Sequence, residues 1–348
     1  MKTYLVTGGA GFIGGCFVRK CVAEGNVRVI NFDALTYAGN LASVPEPDRD
    51  RHVFIHADIG DRGKVSEVLN AYEPEAVIHF AAESHVDRSI DGPMKFVETN
   101  VLGTASLLAA TGDYFRSLGD AKQQAFRFLG VSTDEVYGSL GREGLFNESS
   151  PYDPSSPYSA SKAASDHMIR AWHRTYGLPV LITNCSNNYG PYQFPEKLIP
   201  LMILNALEGK PLPIYGDGLQ VRDWLHVEDH CDAISLVLER GKAGETYNIG
   251  ASCEKTNLSV VQAICEAVDG QIAGSRRSAG LIRFVKDRPG HDRRYAIDAT
   301  KIRDAIGWRP SRRFDEAINE TVAWYLANQE WVRKVESGEY RRTRLGSI

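Results

Sequence analysis

The segment YLVTGGAGFIG, residues 4–14, decides the fold of this chain because it joins an apolar strand directly to a glycine-rich turn. Gly8, Gly11 and Gly14 are spaced three residues apart, and the residues after them have the pattern of a helix. Glycine permits a tight turn and a close approach of the backbone to a ligand, while the N-terminus of a helix attracts anionic groups. The pattern therefore predicts a strand, turn and helix that hold the pyrophosphate of a dinucleotide.

Apolar segments of strand length alternate with helical patterns over the first half of the chain. The strand-like segments are TYLVT, VRVINFD, HVFIHAD, AVIHFAA, FRFLGVS and PVLITNC. Such alternation is typical of a parallel sheet with helices on its faces. We therefore predict an α/β fold, a Rossmann-type doubly wound parallel sheet with a smaller C-terminal substrate-binding lobe.

Two aspartates at predicted strand ends bear on the identity of the dinucleotide. Asp33 ends the second strand, where a carboxylate accepts hydrogen bonds from the adenosine ribose and repels a 2′-phosphate. This favours NAD over NADP, and a loop-capping aspartate is the structural alternative. Asp58 ends the third strand and is placed to reach the adenine, with a turn aspartate as its alternative.

The alternating pattern stops near Tyr189-Gly190-Pro191, where proline and glycine become frequent. We predict an NAD-binding Rossmann domain in residues 1–190, to which residues 222–250 return as a strand, a helix and a strand. The remaining residues, 191–221 and 251–348, are predicted to form the smaller lobe, for which the family resemblance given below implies sugar-nucleotide binding.

The composition excludes several classes of protein. The net charge is -4 and the basic residues are scattered among acidic ones, so no basic surface for nucleic acid is expected. The six cysteines form no C-x-x-C pair and are interpreted as buried thiols in a reducing compartment. No apolar run approaches the ~18 residues that cross a bilayer. We therefore expect a cytoplasmic protein without a membrane partner.

Two pairs of side chains after the fifth strand indicate acid–base chemistry. Tyr158 and Lys162 are four residues apart on a predicted helix, which places the ammonium beside the phenol and favours the phenolate, a base for a sugar hydroxyl. Asp134 and Glu135, which follow Thr133, supply an acid and a second base if their environments separate their pKa values. The structural alternatives are an exposed helix pair and a solvated turn or helix N-cap.

The segment His226-Val-Glu-Asp-His230 raises the question of a metal site, because two histidines four residues apart share one helix face. The H-E-x-x-H order is absent and no third ligand is evident in the sequence. We predict no metal and assign the segment to the start of a helix, where Glu228 and Asp229 favour the helix dipole.

These motifs resemble those of the extended short-chain dehydrogenase/reductase superfamily and, within it, the sugar-nucleotide 4,6-dehydratases. The acidic pair after Thr133 distinguishes the dehydratases from epimerases and decarboxylases of the superfamily, which usually lack it. Cys253 departs from the family pattern, which has a polar residue there. The resemblance covers nearly the whole chain and rests on TGGAGFIG, DALTYAGN, AAESHVDRSI, STDEVYG, YSASKAASDH, NCSNNYGPYQFPEKLIPL, RDWLHVEDH and RPGHDRRYAID.

The resemblance implies a redox-neutral dehydration of dTDP-glucose to dTDP-4-keto-6-deoxyglucose, an intermediate of deoxysugar biosynthesis such as that of rhamnose. Tyr158, assisted by Lys162, would take the proton of the carbon 4 hydroxyl, which Thr133 hydrogen-bonds, while hydride passes to NAD. Glu135 would then remove the proton of carbon 5, and Asp134 would protonate the hydroxyl leaving carbon 6. The hydride finally returns to carbon 6, so the cofactor has to stay bound throughout.

The resemblance and the chemistry of the side chains also assign the binding residues. Arg222 and Arg288 are expected to hold the diphosphate, because a guanidinium pairs with phosphate through two hydrogen bonds; a salt bridge to Asp223 is the alternative for Arg222. The substrate-binding set is Ser84, Thr133, Asn187, Lys197, Arg222, Asn257, Arg288 and His291. The cofactor-binding set is Gly8, Gly11, Phe12, Ile13, Gly14, Asp33, Asp58, Ile59, Asn100, Tyr158 and Lys162.

The resemblance further implies a homodimer built from helices of the large domain, including the helix that carries Tyr158. Two other functions remain open at this point. One is an NAD-dependent sugar-nucleotide 4-epimerase or a 4,6-dehydratase of another nucleotide sugar, because the sequence does not reveal the base pocket. The other is a catalytically silent NAD-binding regulator, which would be expected to lose some of the five catalytic residues.

Overall fold

The computed structural model of the chain describes residues 1–48, 50–272 and 277–336. Its strands coincide closely with the predicted apolar segments in the first half of the chain. In chain order they are β1 (Lys2–Thr7), β2 (Val27–Asp33), β3 (His52–His56), β4 (Ala76–His79), β5 (Arg127–Thr133), β6 (Val180–Cys185), β7 (Asn187–Tyr189), β8 (Leu212–Tyr215), β9 (Val221–His226), β10 (Thr246–Ile249), β11 (Glu254–Thr256) and β12 (Ile282–Val285).

Helices connect most of these strands. The α-helices are α1 (Phe12–Glu24), α2 (Arg62–Tyr72), α3 (Val86–Asp91), α4 (Pro93–Phe96), α5 (Thr104–Ser117), α6 (Asp120–Ala125), α7 (Pro157–Tyr176), α8 (Leu198–Leu207), α9 (Val227–Arg240), α10 (Asn257–Gln271), α11 (Thr300–Ile306), α12 (Phe314–Ala327) and α13 (Gln329–Glu336). A π-helical segment (Val97–Gly103) joins α4 to α5, and 3₁₀ helices form at Leu41–Ser43, Asp134–Tyr137 and Ser278–Leu281.

The central sheet has seven strands in the order β10-β6-β5-β4-β1-β2-β3, and every neighbouring pair is parallel. This order confirms the predicted Rossmann-type fold. The chain proceeds outward from β1 in one direction to β3 and then from β4 in the other direction. In such a sheet the carboxyl ends of the strands open a crevice where the order reverses, and ligands bind there.

Apolar residues of successive strand positions point to opposite faces of the sheet and enter two different cores. On one face, Val6 and Ile78 pack with α1, α9 and α11. On the other face, Leu5 and Val77 pack with α2, α5 and α7. All four side chains are almost completely buried. The sheet is therefore covered by helices on both sides, as a doubly wound fold requires.

A third core lies outside the central sheet and is formed mainly by α8, α10, α12 and α13. Two small sheets accompany it, one of β11, β9 and β7 and one of β12 and β8. The predicted return of residues 222–250 to the main sheet is correct for α9 and β10. It is wrong for the first strand, because β9 pairs with β7 and β11 instead. Residues 337–348 of the predicted lobe lie outside the described residues.

The six cysteines are all free, and only Cys253 is more than slightly exposed to solvent. The interpretation as buried thiols is therefore confirmed for the other five cysteines and is wrong for Cys253. Among the residues that the structure describes, no helix combines the length and the apolar character needed to cross a membrane.

Candidate active site

A deep cavity lies along the carboxyl ends of the central strands, at the place where the strand order reverses. Most of the predicted site residues meet at its wall, although they come from segments far apart in the sequence. Those that line it are Gly8, Gly11, Phe12, Ile13, Gly14, Asp33, Asp58, Ile59, Ser84, Thr133, Glu135, Tyr158, Lys162, Asn187 and Lys197.

The glycine turn between β1 and α1 is packed so closely that side chains are excluded. Gly8 has a φ of +71°, and a Cβ atom there would lie 2.5 Å from the backbone nitrogen of Ala81. A Cβ atom on Gly14 would lie 2.2 Å from the carbonyl oxygen of Gly8. Gly11 precedes α1 without a side-chain cap, which leaves the first N–H groups of the helix for a ligand. The turn therefore fits the pyrophosphate of a dinucleotide.

Asp33 fastens the end of β2 to this turn. Its Oδ2 accepts a hydrogen bond from the backbone N–H of Ala10 at 2.9 Å, and its Oδ1 accepts one from Leu35 at 2.8 Å. Burial raises the pKa of Asp33, and the two backbone donors oppose that shift. Asp58 also lines the cavity, but its Oδ1 accepts from Gly60 N–H at 2.7 Å, so the turn interpretation holds for it as well.

Helix α7 brings Tyr158 and Lys162 to the cavity. It begins after a capping box in which Ser156 and Ser159 bond each other's backbone N–H groups. Both functional side chains are buried. The ammonium of Lys162 donates to the backbone carbonyl of Val131 at 2.8 Å. The helix is thus held against β5, and the exposed helix pair considered from the sequence is excluded.

The predicted effect of Lys162 on the phenol stays a prediction, because other groups are the main influences on the pKa of Tyr158. Burial, followed by the charge of Glu135, holds the pKa of Tyr158 well above its usual range, and a hydrogen bond with the Thr133 side chain opposes this. Burial also lowers the pKa of Lys162, whose ammonium donates one hydrogen bond to the backbone of β5. The Thr133 hydroxyl favours the phenolate when its single proton is directed to the phenol rather than to Asp134.

Thr133, Asp134 and Glu135 stand where β5 ends and a 3₁₀ helix begins. The Thr133 oxygen accepts from the backbone N–H of Glu135 at 3.3 Å, and the Thr133 hydroxyl donates to Asp134 Oδ1 at 3.4 Å. The predicted N-cap is therefore present, but Thr133 provides it. Asp134 is buried behind the cavity wall, and its Oδ2 has no hydrogen-bond partner within the described residues.

The surroundings of the two carboxyl groups differ in charge. Burial, Glu135 and Asp223 raise the pKa of Asp134 well above its usual range. Burial also raises the pKa of Glu135, but Arg288, Arg222 and Lys197 all act to lower it. The three cations therefore oppose the effect of burial at Glu135, whereas at Asp134 two carboxylates add to burial and Arg222 and Thr133 oppose it.

Arg222 and Arg288 lie beside Glu135 but outside the wall of the main cavity. The guanidinium of Arg222 is 4.1 Å above the ring of Tyr295 and donates to backbone carbonyls of Val221 and Asp292. The salt bridge considered for Arg222 is not formed, because Asp223 instead accepts from the backbone N–H groups of Ala251 and Cys253.

Two more predicted residues, His291 and Asn257, stand apart from the cavity wall. The Nδ1 atom of His291 lies 2.6 Å from Asp287 Oδ1. Burial is the main cause that lowers the pKa of His291, and the charges of Arg288 and Arg222 lower it further. Asn257 begins α10, where its N–H donates to the carbonyl of Gln220 at 3.0 Å. The predicted contacts of these side chains with a ligand remain predictions.

Asn100 is buried in the π-helical segment behind the wall. Its carboxamide bonds both backbone groups of Glu83, at 2.8 and 2.9 Å, and donates to Ser161 Oγ at 2.8 Å. Its polar atoms are therefore used to join a wall residue to helix α7, which makes Asn100 a positioning residue here.

Sequence reasoning missed several residues of the site. Glu196 lines the cavity next to Lys197 and accepts a hydrogen bond from Arg88 Nε at 2.9 Å. Asp87 lies 3.4 Å from a guanidinium nitrogen of Arg288 and accepts from the hydroxyl of Tyr215 at 3.0 Å. Asp87 and Arg88 belong to the segment AAESHVDRSI, on which the family resemblance partly rests. Their partners, Arg288 and Glu196, are distant in the sequence and could not be recognised from it.

The structure also shows the surroundings of His226 and His230. His226 caps the N-terminus of α9, and Glu228 and Asp229 occupy its first turn, which confirms the predicted helix start. The ring of His230 is buried, and its Nδ1 lies 2.9 Å from Asn188 Oδ1. Within residues 1–48, 50–272 and 277–336, no group of three potential ligands could hold a metal ion.

The sequence and the fold were compared with those of known proteins. A family model described as GDP-mannose 4,6 dehydratase matches residues 5–321. The dTDP-glucose 4,6-dehydratase of Xanthomonas campestris pv. campestris strain B100 is 59% identical over 351 residues, with 100% of this chain and 99% of that protein covered.

Two solved structures of dTDP-glucose 4,6-dehydratases are also similar to this chain. The NAD complex of dTDP-glucose 4,6-dehydratase from Bacillus anthracis strain Ames has a TM-score of 0.85 and 46% identity, covering 96% of this chain and 100% of that one. The NAD-bound enzyme of the same name from Streptomyces venezuelae has a TM-score of 0.87 and 48% identity, covering 96% and 99%.

The parallel sheet, the glycine turn and the Tyr-x-x-x-Lys helix at one cavity define an extended short-chain dehydrogenase/reductase. Within that superfamily the chain belongs to the dTDP-glucose 4,6-dehydratases. The resemblance predicted from the sequence is thereby confirmed.

The close contact at Gly14 leads to a prediction. Gly14→Ala places a methyl group 2.2 Å from the Gly8 carbonyl, so the turn has to move and NAD should bind at least about tenfold more weakly. Gly15→Ala is a matched control, because its nearest atoms would be at 3.5 Å, an ordinary contact. Calorimetric titration with NAD measures both affinities. Equal NAD affinity in the two variants would contradict the role of the turn.

Proposed function

We propose that this protein is an NAD-dependent hydro-lyase that converts dTDP-glucose to dTDP-4-keto-6-deoxyglucose. The observation that carries the proposal is the pair of carboxyl groups at the end of β5: Asp134 is buried with an Oδ2 that is unpartnered within the described ranges, and Glu135 lines the cavity. Its relatives at 59% identity over the full length bear the name of this activity. The silent regulator is not favoured, because all five catalytic residues are present and meet at one site.

The first step is oxidation of carbon 4. Bound NAD supplies the acceptor for the hydride of this carbon and later the donor for carbon 6. Tyr158 takes the proton of the carbon 4 hydroxyl, and the Thr133 hydroxyl bonds the phenol and lowers its pKa, opposing the effect of burial. Lys162 supplies a positive charge to the same buried space, which further favours loss of the proton.

The second step is loss of water across carbons 5 and 6. The ketone at carbon 4 acidifies the hydrogen on carbon 5, and Glu135 removes it, since the neighbouring cations favour its carboxylate form. Asp134 protonates the hydroxyl that leaves carbon 6. Its raised pKa keeps the proton available near neutral pH, and its Oδ2 has no partner among the described residues.

The cationic side chains complete the substrate site. Arg222 and Arg288 are proposed to bind the diphosphate, with Lys197, Asn187 and His291 beside them. Arg288 is supported at this place by Asp87 at 3.4 Å, and Asn187 lines the cavity with an Oδ1 that lacks a partner in the described part of the chain. Ser84 and Asn257 are proposed to contact the sugar nucleotide as well.

The three cores support the proposed division of labour along the chain. We propose that residues 1–190 and 222–250 form the NAD-binding domain, although β9 itself joins a small sheet. Residues 191–221 and 251–348 form the sugar-nucleotide-binding lobe, whose core of α8, α10, α12 and α13 is separate from the two cores of the central sheet.

We also propose a cytoplasmic location, supported by the free cysteines, since disulfides are rare in that compartment.

The product mass tests the proposed reaction. Purified protein incubated with dTDP-glucose, without added reductant, should yield a sugar nucleotide lighter by one water in mass spectrometry. A product of unchanged mass would indicate a 4-epimerase, and CDP-, UDP- and GDP-glucose supplied in parallel report the base preference.

The split between acid and base predicts different blocks in two variants. Asp134→Asn removes the acid but keeps the base, so the reduced cofactor should accumulate and the hydrogen on carbon 5 should exchange with deuterium from solvent. Glu135→Gln should also accumulate reduced cofactor, but without this exchange, because no base remains at carbon 5. Near-ultraviolet absorbance and nuclear magnetic resonance follow the two signals. Release of dehydrated product by Asp134→Asn at the parent rate would refute the assignment.

An exposed apolar surface supports the homodimer. Met94, Val97 and Leu102 are 65%, 39% and 61% exposed on the stretch from α4 through the π-helical segment, and α7 packs against this stretch. Such patches mark interfaces in soluble proteins. Leu102→Glu should therefore shift a dimer toward monomer in sedimentation velocity. Leu219→Glu is the control, since Leu219 is 46% exposed elsewhere; dissociation in both variants would contradict this surface.

A further inference from the structure

The cavity is closed on one side by residues 34–44, named here the covering segment, which follows Asp33 directly. Ala34, Thr36, Ala38 and Gly39 of this segment line the cavity. The backbone N–H of Asn40 donates to the carbonyl of Ala10 at 3.0 Å, so the segment lies against the glycine turn. The segment therefore covers the part of the cavity between Asp33 and the glycine turn.

The middle of the covering segment is tied to the opposite wall. The Tyr37 hydroxyl donates to Glu196 Oε1 at 2.9 Å, and the Arg88 guanidinium lies 3.8 Å above the Tyr37 ring. Arg88 also binds the second carboxylate oxygen of Glu196 at 2.9 Å. Glu196 precedes Lys197, so these bonds belong to the substrate wall already described.

The far end of the segment is tied down by residues that touch neither wall. The indole N–H of Trp331, in the C-terminal helix α13, donates to Ser43 Oγ at 3.0 Å. Arg19 donates to the Ser43 carbonyl and lies 4.0 Å above the ring of Tyr192, which contacts Trp331 edge-on at 5.5 Å. Both Ser43 and Trp331 are buried and neither lines the cavity.

We propose that Ser43 and Trp331 form a clasp that holds the covering segment closed and thereby retains the cofactor between turnovers. The inference rests on the proposed reaction, in which loss of the reduced cofactor midway would strand an oxidised sugar. Both residues are positioning residues, since they act only through the covering segment. The clasp connects the last described helix of the small-lobe core to the cofactor side of the large domain.

Exchange of radiolabelled NAD from the full-length protein against excess unlabelled NAD tests the clasp. Trp331→Phe removes the indole donor and keeps an aromatic ring, and Ser43→Ala removes the acceptor. Either change should speed release by about threefold to tenfold, the effect of one net hydrogen bond. The double variant should be no faster than the singles, because both remove the same bond.

Trp324→Phe is the matched control, because Trp324 packs 5.2 Å from Trp331 but makes no hydrogen bond to the covering segment within the described residues. Its exchange rate should equal that of the parent. Faster exchange in all three single variants, or parent-like exchange in Trp331→Phe, would overturn the clasp. If the unmodified protein dehydrates dTDP-glucose while the clasp variants release NAD no faster, the clasp is refuted and the proposed function stands. If the unmodified protein binds no NAD, the clasp and the proposed function are both refuted.

Discussion

Burial at the end of β5 constrains most of the catalytic groups of this protein. Asp134, Tyr158 and Lys162 are almost completely buried, and burial is the largest influence on the pKa of each. In such a place an ionised group survives only when a neighbouring charge or hydrogen bond compensates for the lost hydration. The catalytic roles are therefore set by which neighbours each group has, rather than by its residue type.

The fold supplies those neighbours from distant parts of the chain. Parallel strands end at one edge, so β1, β4 and β5 deliver their following turns to a single cavity. Helix α7 then presses Lys162 against β5, and the segments around β9 and β12 bring Arg222 and Arg288 toward Glu135. Acid, base and cations thus come from elements whose relative positions only the folded sheet fixes.

Much of this arrangement could be predicted from the sequence, because strands buried on both faces leave continuous apolar segments and the glycine spacing is specific. β9 could not be placed, since its partners β7 and β11 are short strands of polar character. The direction of the Lys162 ammonium depends on a backbone carbonyl, which no side-chain pattern encodes. Nor could the pairing of Ser43 with Trp331 be foreseen, because 288 positions separate them.

The three-stranded sheet has a consequence for the history and the engineering of this architecture. β9 pairs with β7 on one side and β11 on the other, and Val221 at its start bridges to Arg294. The backbone hydrogen bonds of β9 therefore connect segments that precede and follow it by dozens of residues. Exchange of only one of these strands for an unrelated segment would leave β9 without a matched neighbour, so the two lobes are expected to be exchangeable only together.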